Sequence, residues 1–222
     1  LHPRVRRQRQ MCIRDRTACG AFDIFNHVLD NYYLAGDATF DMILEFQEAV
    51  MRAVVKWAPV AIKEPDNYEA RANLMWASSM ALNTVLDAGT VHGCACHAME
   101  HELSAYYDIT HGHGLAIVTP RWLEYILNKT TAPAIYRLGV KVFGIPENLS
   151  ATDGAKKAIE AVSDFCFNTL GLKANLSDLG IDEKHFKAMA KHACAGSVIS
   201  GPKELVPADV EAIYKMCLLS LI

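Results

Sequence analysis

Apolar positions along this chain recur with the period of an α-helix almost from end to end. Between Ala21 and Tyr33 they stand at 22, 24, 25, 28, 29, 32 and 33, the recurrence that lines one side of a helix. The same spacing predicts a helix over Asp41–Trp57 with Met42, Ile43, Phe46, Val50 and Val54 inward, and another over Tyr68–Leu86, rich in Ala, Leu and Met. Gly36-Asp37-Ala38-Thr39 separates the first two, Pro59 and Pro65-Asp66-Asn67 bracket the connection to the third, and Asp87-Ala88-Gly89-Thr90 ends it. Further helices are expected over His97–Tyr106 and Gly112–Leu127, with Pro120 kinking the second or marking its early turn. Others are expected over Ala132–Gly139, Ser150–Leu170 closed by Gly171, Glu183–Ala195 capped by the loop Leu176–Asp182, and from Pro207 to about Leu218. β-branched alternation is scarce. The expected fold class is therefore all-α, a helical bundle with almost no sheet. Trp76, Met80, Trp122 and Tyr125, at helical spacing, are expected in its core.

Composition narrows the function classes. A chain of 222 residues with 51% hydrophobic and 21% charged residues is globular and long enough for one substantial core. A net charge of −3 gives no nucleic-acid footprint, and no apolar run reaches the roughly 18 residues of a membrane span. The seven cysteines, at 12, 19, 94, 96, 166, 194 and 217, lack disulfide-scaffold spacing, so reduced thiols and a cytoplasmic location are expected. Leu1–Arg16 stands apart, with arginines at 4, 6, 7, 9, 14 and 16 and no periodic apolar face. It lacks the apolar stretch of a secretory signal and reads as a non-native leader of the kind produced by adapter read-through. That leaves 17–218 as the domain.

The chemistry is concentrated between His97 and Gly114, where four of the nine histidines fall: His97, His101, His111 and His113. Far upstream, Asp23 and His27 have the same four-residue step as His97 and His101. Residues four apart share a helix face, so two helices could each aim two ligand-type side chains at one point. Phe22, Ile24, Phe25 and Val28 set Asp23 in apolar surroundings, and a buried carboxylate must find a cation or several donors. Carboxylate plus neutral imidazole is a ligand set for Zn²⁺ or Fe²⁺. Spacing alone leaves open whether His97 or His101 ligates. His113 could line the cleft or simply begin a helix. Gly112 and Gly114 could admit a close backbone approach or only loosen the helix start. Glu100 and Glu102 are read as pointing to other helix faces. His92, His185 and His192 are read as ordinary, and Gly201–Leu205 as a turn. Gly112-x-Gly114 does not follow a strand, so it is no dinucleotide fingerprint.

Asp-x3-His followed by His-x3-His-x9-His-Gly resembles the metal-binding half of the iron-containing (group III) alcohol dehydrogenases. The run from Ser104 through Tyr106-Tyr107-Asp108-Ile109-Thr110-His111-Gly112-His113-Gly114 to Trp122, and Tyr68–Ser78, are similar to the butanol dehydrogenase branch. The resemblance extends from about Thr17 to about Leu218, the second half of a family member. It implies a helical, dehydroquinate synthase-like domain with Asp23, His27, His97 and His111 as ligands of Fe²⁺ or Zn²⁺. His101 would stand beside the open site as a catalytic or cofactor-contacting group. The resemblance also implies an NAD(P)H-linked alcohol dehydrogenase or aldehyde reductase for short-chain substrates such as butanol, and it allows a homodimer. The nucleotide-binding domain that precedes this half in the family is expected to be missing here, and the fragment to be inactive alone. Two other classes remain: a non-catalytic metal-binding bundle, and a helical metal-dependent phosphohydrolase, although this chain lacks the adjacent His-Asp pair usual in the latter.

Overall fold

The structure is a computed structural model that describes residues 3–35, 41–89 and 92–218. Among these, α-helices follow one another as α1 (Pro3–Val28), α2 (Asp41–Lys63), α3 (Tyr68–Leu82), α4 (Ala95–Tyr107), α5 (His111–Ile126), α6 (Ala132–Phe143), α7 (Ala151–Asp164), α8 (Phe186–Ala193) and α9 (Pro207–Met216). The β structure among the described residues is one isolated bridge, Ile199 to Leu205. The protein is therefore all-α, as its periodicity predicts.

Local chemistry sets several ends. Asn67 caps α3 by accepting from the amide of Ala70 at 3.0 Å, and Ser150 caps α7 by accepting from Asp153 at 3.1 Å. Gly144 and Gly171 take positive φ where α6 and the π-helical turn after α7 end. A second π-helical turn, Leu29–Tyr33, ends α1. Of the leader segment, Leu1 and His2 lie outside the described residues. The backbone from Pro3 continues unbroken into α1, and Ile13, Arg14, Asp15 and Arg16 are exposed.

α1 packs against α2 and α5, α4 against α5 and α8, α6 against α7, and α8 against α9. One continuous core joins them. Phe25 is fully buried at its centre, with ring centroids of Phe22, Phe143 and Phe165 at 5.7, 6.0 and 5.8 Å.

Several sequence expectations are corrected. Pro59 does not bracket a connection: it lies inside α2, which runs on to Lys63. Met42 and Phe46 point outward at 72% and 51% exposure, because the inward stripe of α2 includes Gln47 and Glu48. These buried polar groups have partners: Gln47 donates to the Leu86 carbonyl at 2.7 Å, and Glu48 accepts from Tyr33 at 2.9 Å and Arg137 at 2.7 Å. Trp76 is 70% exposed. α3 packs through small residues, Ala70, Ala77 and Ala81 with Leu74, which turns its large side chains outward. Trp122 is fully buried as expected, and Tyr125 and Met80 are half-buried. Pro120 lies within α5.

Candidate metal centre

Three helices bring four side chains together, three histidines about one carboxylate oxygen. α1 presents Asp23 and His27 one turn apart, the first turn of α4 presents His97, and α5 begins with His111. Oδ1 of Asp23 lies 3.5 Å from Nε2 of His27, 3.8 Å from Nε2 of His97 and 3.4 Å from Nε2 of His111. The donor atoms of Asp23, His27 and His97 all lie within 4.8 Å of one another. Asp23 Oδ1 and His97 Nε2 are buried and have no hydrogen-bond partner. A buried polar atom without a partner is costly, and a cation between these atoms would remove that cost. Donors of a tetrahedral ion with bonds of about 2.0–2.2 Å stand about 3.3–3.6 Å apart, close to the spacing of the nitrogens about Asp23. Asp23, His27 and His97 therefore form a donor set that fits a divalent ion, and His111 meets it at the shared oxygen while also standing in a second donor group with Glu100 and His101.

The approach of the helices depends on two glycines. A Cβ on Gly112 would lie 2.0 Å from the Cys19 carbonyl oxygen on α1, and one on Gly114 would lie 2.7 Å from Cγ and Oε1 of Glu100 on α4. Close approach, rather than helix-start flexibility, is what both positions require.

The far sides of the rings are occupied as well. Asp30, in the π-helical turn after His27, accepts from Nδ1 of His97 at 3.0 Å and from the amides of Ala95 and His97 at 2.9 and 3.1 Å. Glu100 hydrogen-bonds Nδ1 of His111, and Ser104 donates to its other oxygen at 2.5 Å. The Asn31 amide meets Nδ1 of His27 at 3.1 Å. The expectation that Glu100 points away from the histidines is thus wrong. It lies three residues past His97, on the same side of α4, fully buried. Sequence reasoning also passed over Asp30 and Asn31. The available signal was a carboxylate inside a largely apolar stretch, Val28-Leu29-Asp30-Asn31-Tyr32-Tyr33.

His101 is exposed beside the cluster, its ring stacked near His111 with centroids 5.4 Å apart and 6.3 Å from that of His97. His113 faces away and meets the Lys173 carbonyl at 3.1 Å. His92 pairs with Asp87 at 2.6 Å and His192 with Glu102 at 3.4 Å, while His185 lies against Tyr106.

Charge couples the centre. Burial works to raise Asp23, yet His111, His97 and His27 hold its carboxyl well below the usual range. Burial lowers His27, and the charge of His97 adds to this. His97 is raised by Asp23 and Asp30 against the opposing effect of burial. His111 is raised to about 10 by Asp23 and Glu100.

Residues 17–218 match the family model described as Fe-containing alcohol dehydrogenase family, C-terminal. NADH-dependent butanol dehydrogenase B of Clostridium acetobutylicum is 42% identical over 203 residues, 90% of this chain and 52% of the relative. The NADPH-dependent aldehyde reductase YqhD of Escherichia coli is 34% identical over 79% of this chain and 44% of the relative. The crystal structure of NADH-dependent butanol dehydrogenase A from Thermotoga maritima superposes with a TM-score of 0.84 at 32% identity, covering 93% of this chain and 53% of that one. The chain spans about half the length of the curated relatives it matches. By the extent of this match, the chain belongs to the iron-containing alcohol dehydrogenase family and corresponds to its C-terminal helical domain.

Proposed function

We propose that this chain is the metal-holding half of an NAD(P)H-linked alcohol dehydrogenase or aldehyde reductase that acts on short-chain substrates such as butanol and butanal. The observation that carries the proposal is the meeting of three histidine nitrogens at the unpartnered Oδ1 of Asp23. Asp23, His27, His97 and His111 hold a divalent ion, Fe²⁺ or Zn²⁺, which when bound supplies Lewis acidity toward a carbonyl or alcohol oxygen. A nicotinamide cofactor supplies the hydride, and the protein contributes placement.

The chain's own residues divide the remaining work. Burial of His97 keeps water from the inner side of the centre, while the half-exposed Asp23 and His111 leave its outer side open to a small molecule. His101, exposed next to His111, contacts the cofactor and relays a proton between substrate oxygen and solvent.

Metal analysis tests the centre directly. The chain, stripped with chelator and reloaded, takes up about one Zn²⁺ or Fe²⁺, and His97→Ala loses it. Full uptake by His97→Ala removes His97 from the ligand set. A non-catalytic bundle would bind the ion equally well, but would give no butanal reduction when joined to a nucleotide-binding half.

A further inference from the structure

We infer that Asp30 and Glu100 are positioning residues of the centre, each holding the Nδ1 proton of one ligand histidine, His97 and His111 respectively, so that its Nε2 faces the ion. The inference rests on the metal-centre reading above. Asp30 and Glu100 are 1% and 0% exposed, whereas the side chain of Asp23 is 31% exposed. Of the three carboxylates at the centre, the two enclosed ones thus face the far nitrogens of the rings, while the open one faces the near nitrogens. Each is held so that its ring contact is fixed. Asp30 is anchored by two α4 amides, and through them it ties the end of α1 to the ring it orients. Glu100 is held by Ser104 and occupies room that only a glycine at 114 leaves open.

An imidazole carries one proton in its neutral form, so an acceptor on Nδ1 leaves the Nε2 lone pair free to ligate. A carboxylate there also raises the ring's basicity toward the ion, and losing such a partner typically costs about 10–100-fold in metal affinity.

The test compares Zn²⁺ affinity, by chelator competition, in the full chain and three variants. Asp30→Leu removes Oδ2, which accepts from both Nδ1 and the amide of His97, and so leaves that ring without an acceptor to fix its tautomer. Glu100→Leu removes the acceptor from His111, whereas Glu100→Gln can still present an oxygen there. The expected result is a loss of about 10–100-fold for Asp30→Leu and Glu100→Leu, a much smaller loss for Glu100→Gln, and unchanged helicity by circular dichroism.

Unchanged affinity in both Asp30→Leu and Glu100→Leu overturns the inference and leaves the centre standing. No uptake of Zn²⁺ or Fe²⁺ by the unaltered chain overturns the centre, and the inference with it. Should a variant fail to fold, ¹⁵N spectra of the Zn²⁺-loaded unaltered chain decide. Protonated Nδ1 with metal-bound Nε2 on both His97 and His111 supports the inference, and ligation through either Nδ1 overturns it.

Discussion

Without an ion, His111 keeps its proton up to a pH of about 10, because Asp23 and Glu100 both face it, and His97 is raised in the same direction. A group raised above its unfolded value stabilises the fold fully below its ordinary value of 6.5. That contribution is lost as pH rises through the folded value. A metal ion competes for the same ring nitrogens, so its binding releases protons and tightens across this window. The difference in melting temperature between the Zn²⁺-loaded and metal-free chain should therefore widen from about pH 6.5 toward pH 10. A difference that stays constant or narrows counts against protons and metal sharing His111. At this scale Asp23, His27 and the His97–His101 pair were legible as candidate ligands, because each pair stands at helical spacing. Choosing His97 over His101, and adding His111, required the family pattern, since spacing along one helix does not separate the first two or reach the third. Asp30 and Glu100 were not legible as partners of the rings. Their roles depend on how the end of α1 meets α4 and how α4 meets α5, and that is a property of packing rather than of spacing along one helix.

Helix contacts make two glycines of opposite character. Gly112 sits where its α-carbon faces the Cys19 backbone, and a methyl group there would overlap the carbonyl oxygen at 2.0 Å. Backbone cannot rotate aside as a side chain can, so Gly112→Ala should destabilise the chain by about 3 kcal/mol, at the upper end of ordinary overpacking. It should also weaken metal uptake by shifting the adjacent His111. Gly20, on the exposed side of α1, has nothing within 4 Å of an added Cβ. Gly20→Ala should therefore stabilise by roughly 0.5–1 kcal/mol through helix propensity alone. Urea unfolding measures both; equal effects at the two positions would show that the α1–α5 approach is looser than drawn. Nearly every helix was legible from apolar period and caps, but which face turns inward was less so. Met42, Phe46 and Trp76 look like core by hydrophobicity. Yet α2 buries Gln47 and Glu48, which hydrogen-bond Leu86, Tyr33 and Arg137, and α3 packs by its alanines. Pro59 forfeits one backbone hydrogen bond near the end of α2, but burial of Ala58 and Ala61 beside it keeps the helix in register.

At the scale of the whole molecule, holding an ion and transferring a hydride are separable demands. The four proposed ligands and His101 all belong to this chain. Among the described residues, however, there is no strand leading through a glycine-rich turn into a helix, the device that cradles a dinucleotide pyrophosphate. Hydride transfer needs the nicotinamide carbon and the substrate carbon held about 3–3.5 Å apart, and effective molarities of roughly 10⁵ M or more depend on that alignment. A cofactor anchored only near His101 would lack both affinity and alignment. The 222-residue chain by itself, loaded with Zn²⁺ or Fe²⁺, should therefore bind its ion yet give no measurable change in nicotinamide absorbance with butanal and NADH or NADPH. Fused behind the nucleotide-binding half of a butanol dehydrogenase, it should turn over. In that fusion His97→Ala should abolish both metal and activity, whereas His101→Ala should keep the metal and lower kcat. Turnover by the unfused chain at the rate of an intact relative would show that the helical half supplies the cofactor site on its own. Metal loss in His101→Ala would make that histidine a ligand rather than a neighbour of the centre.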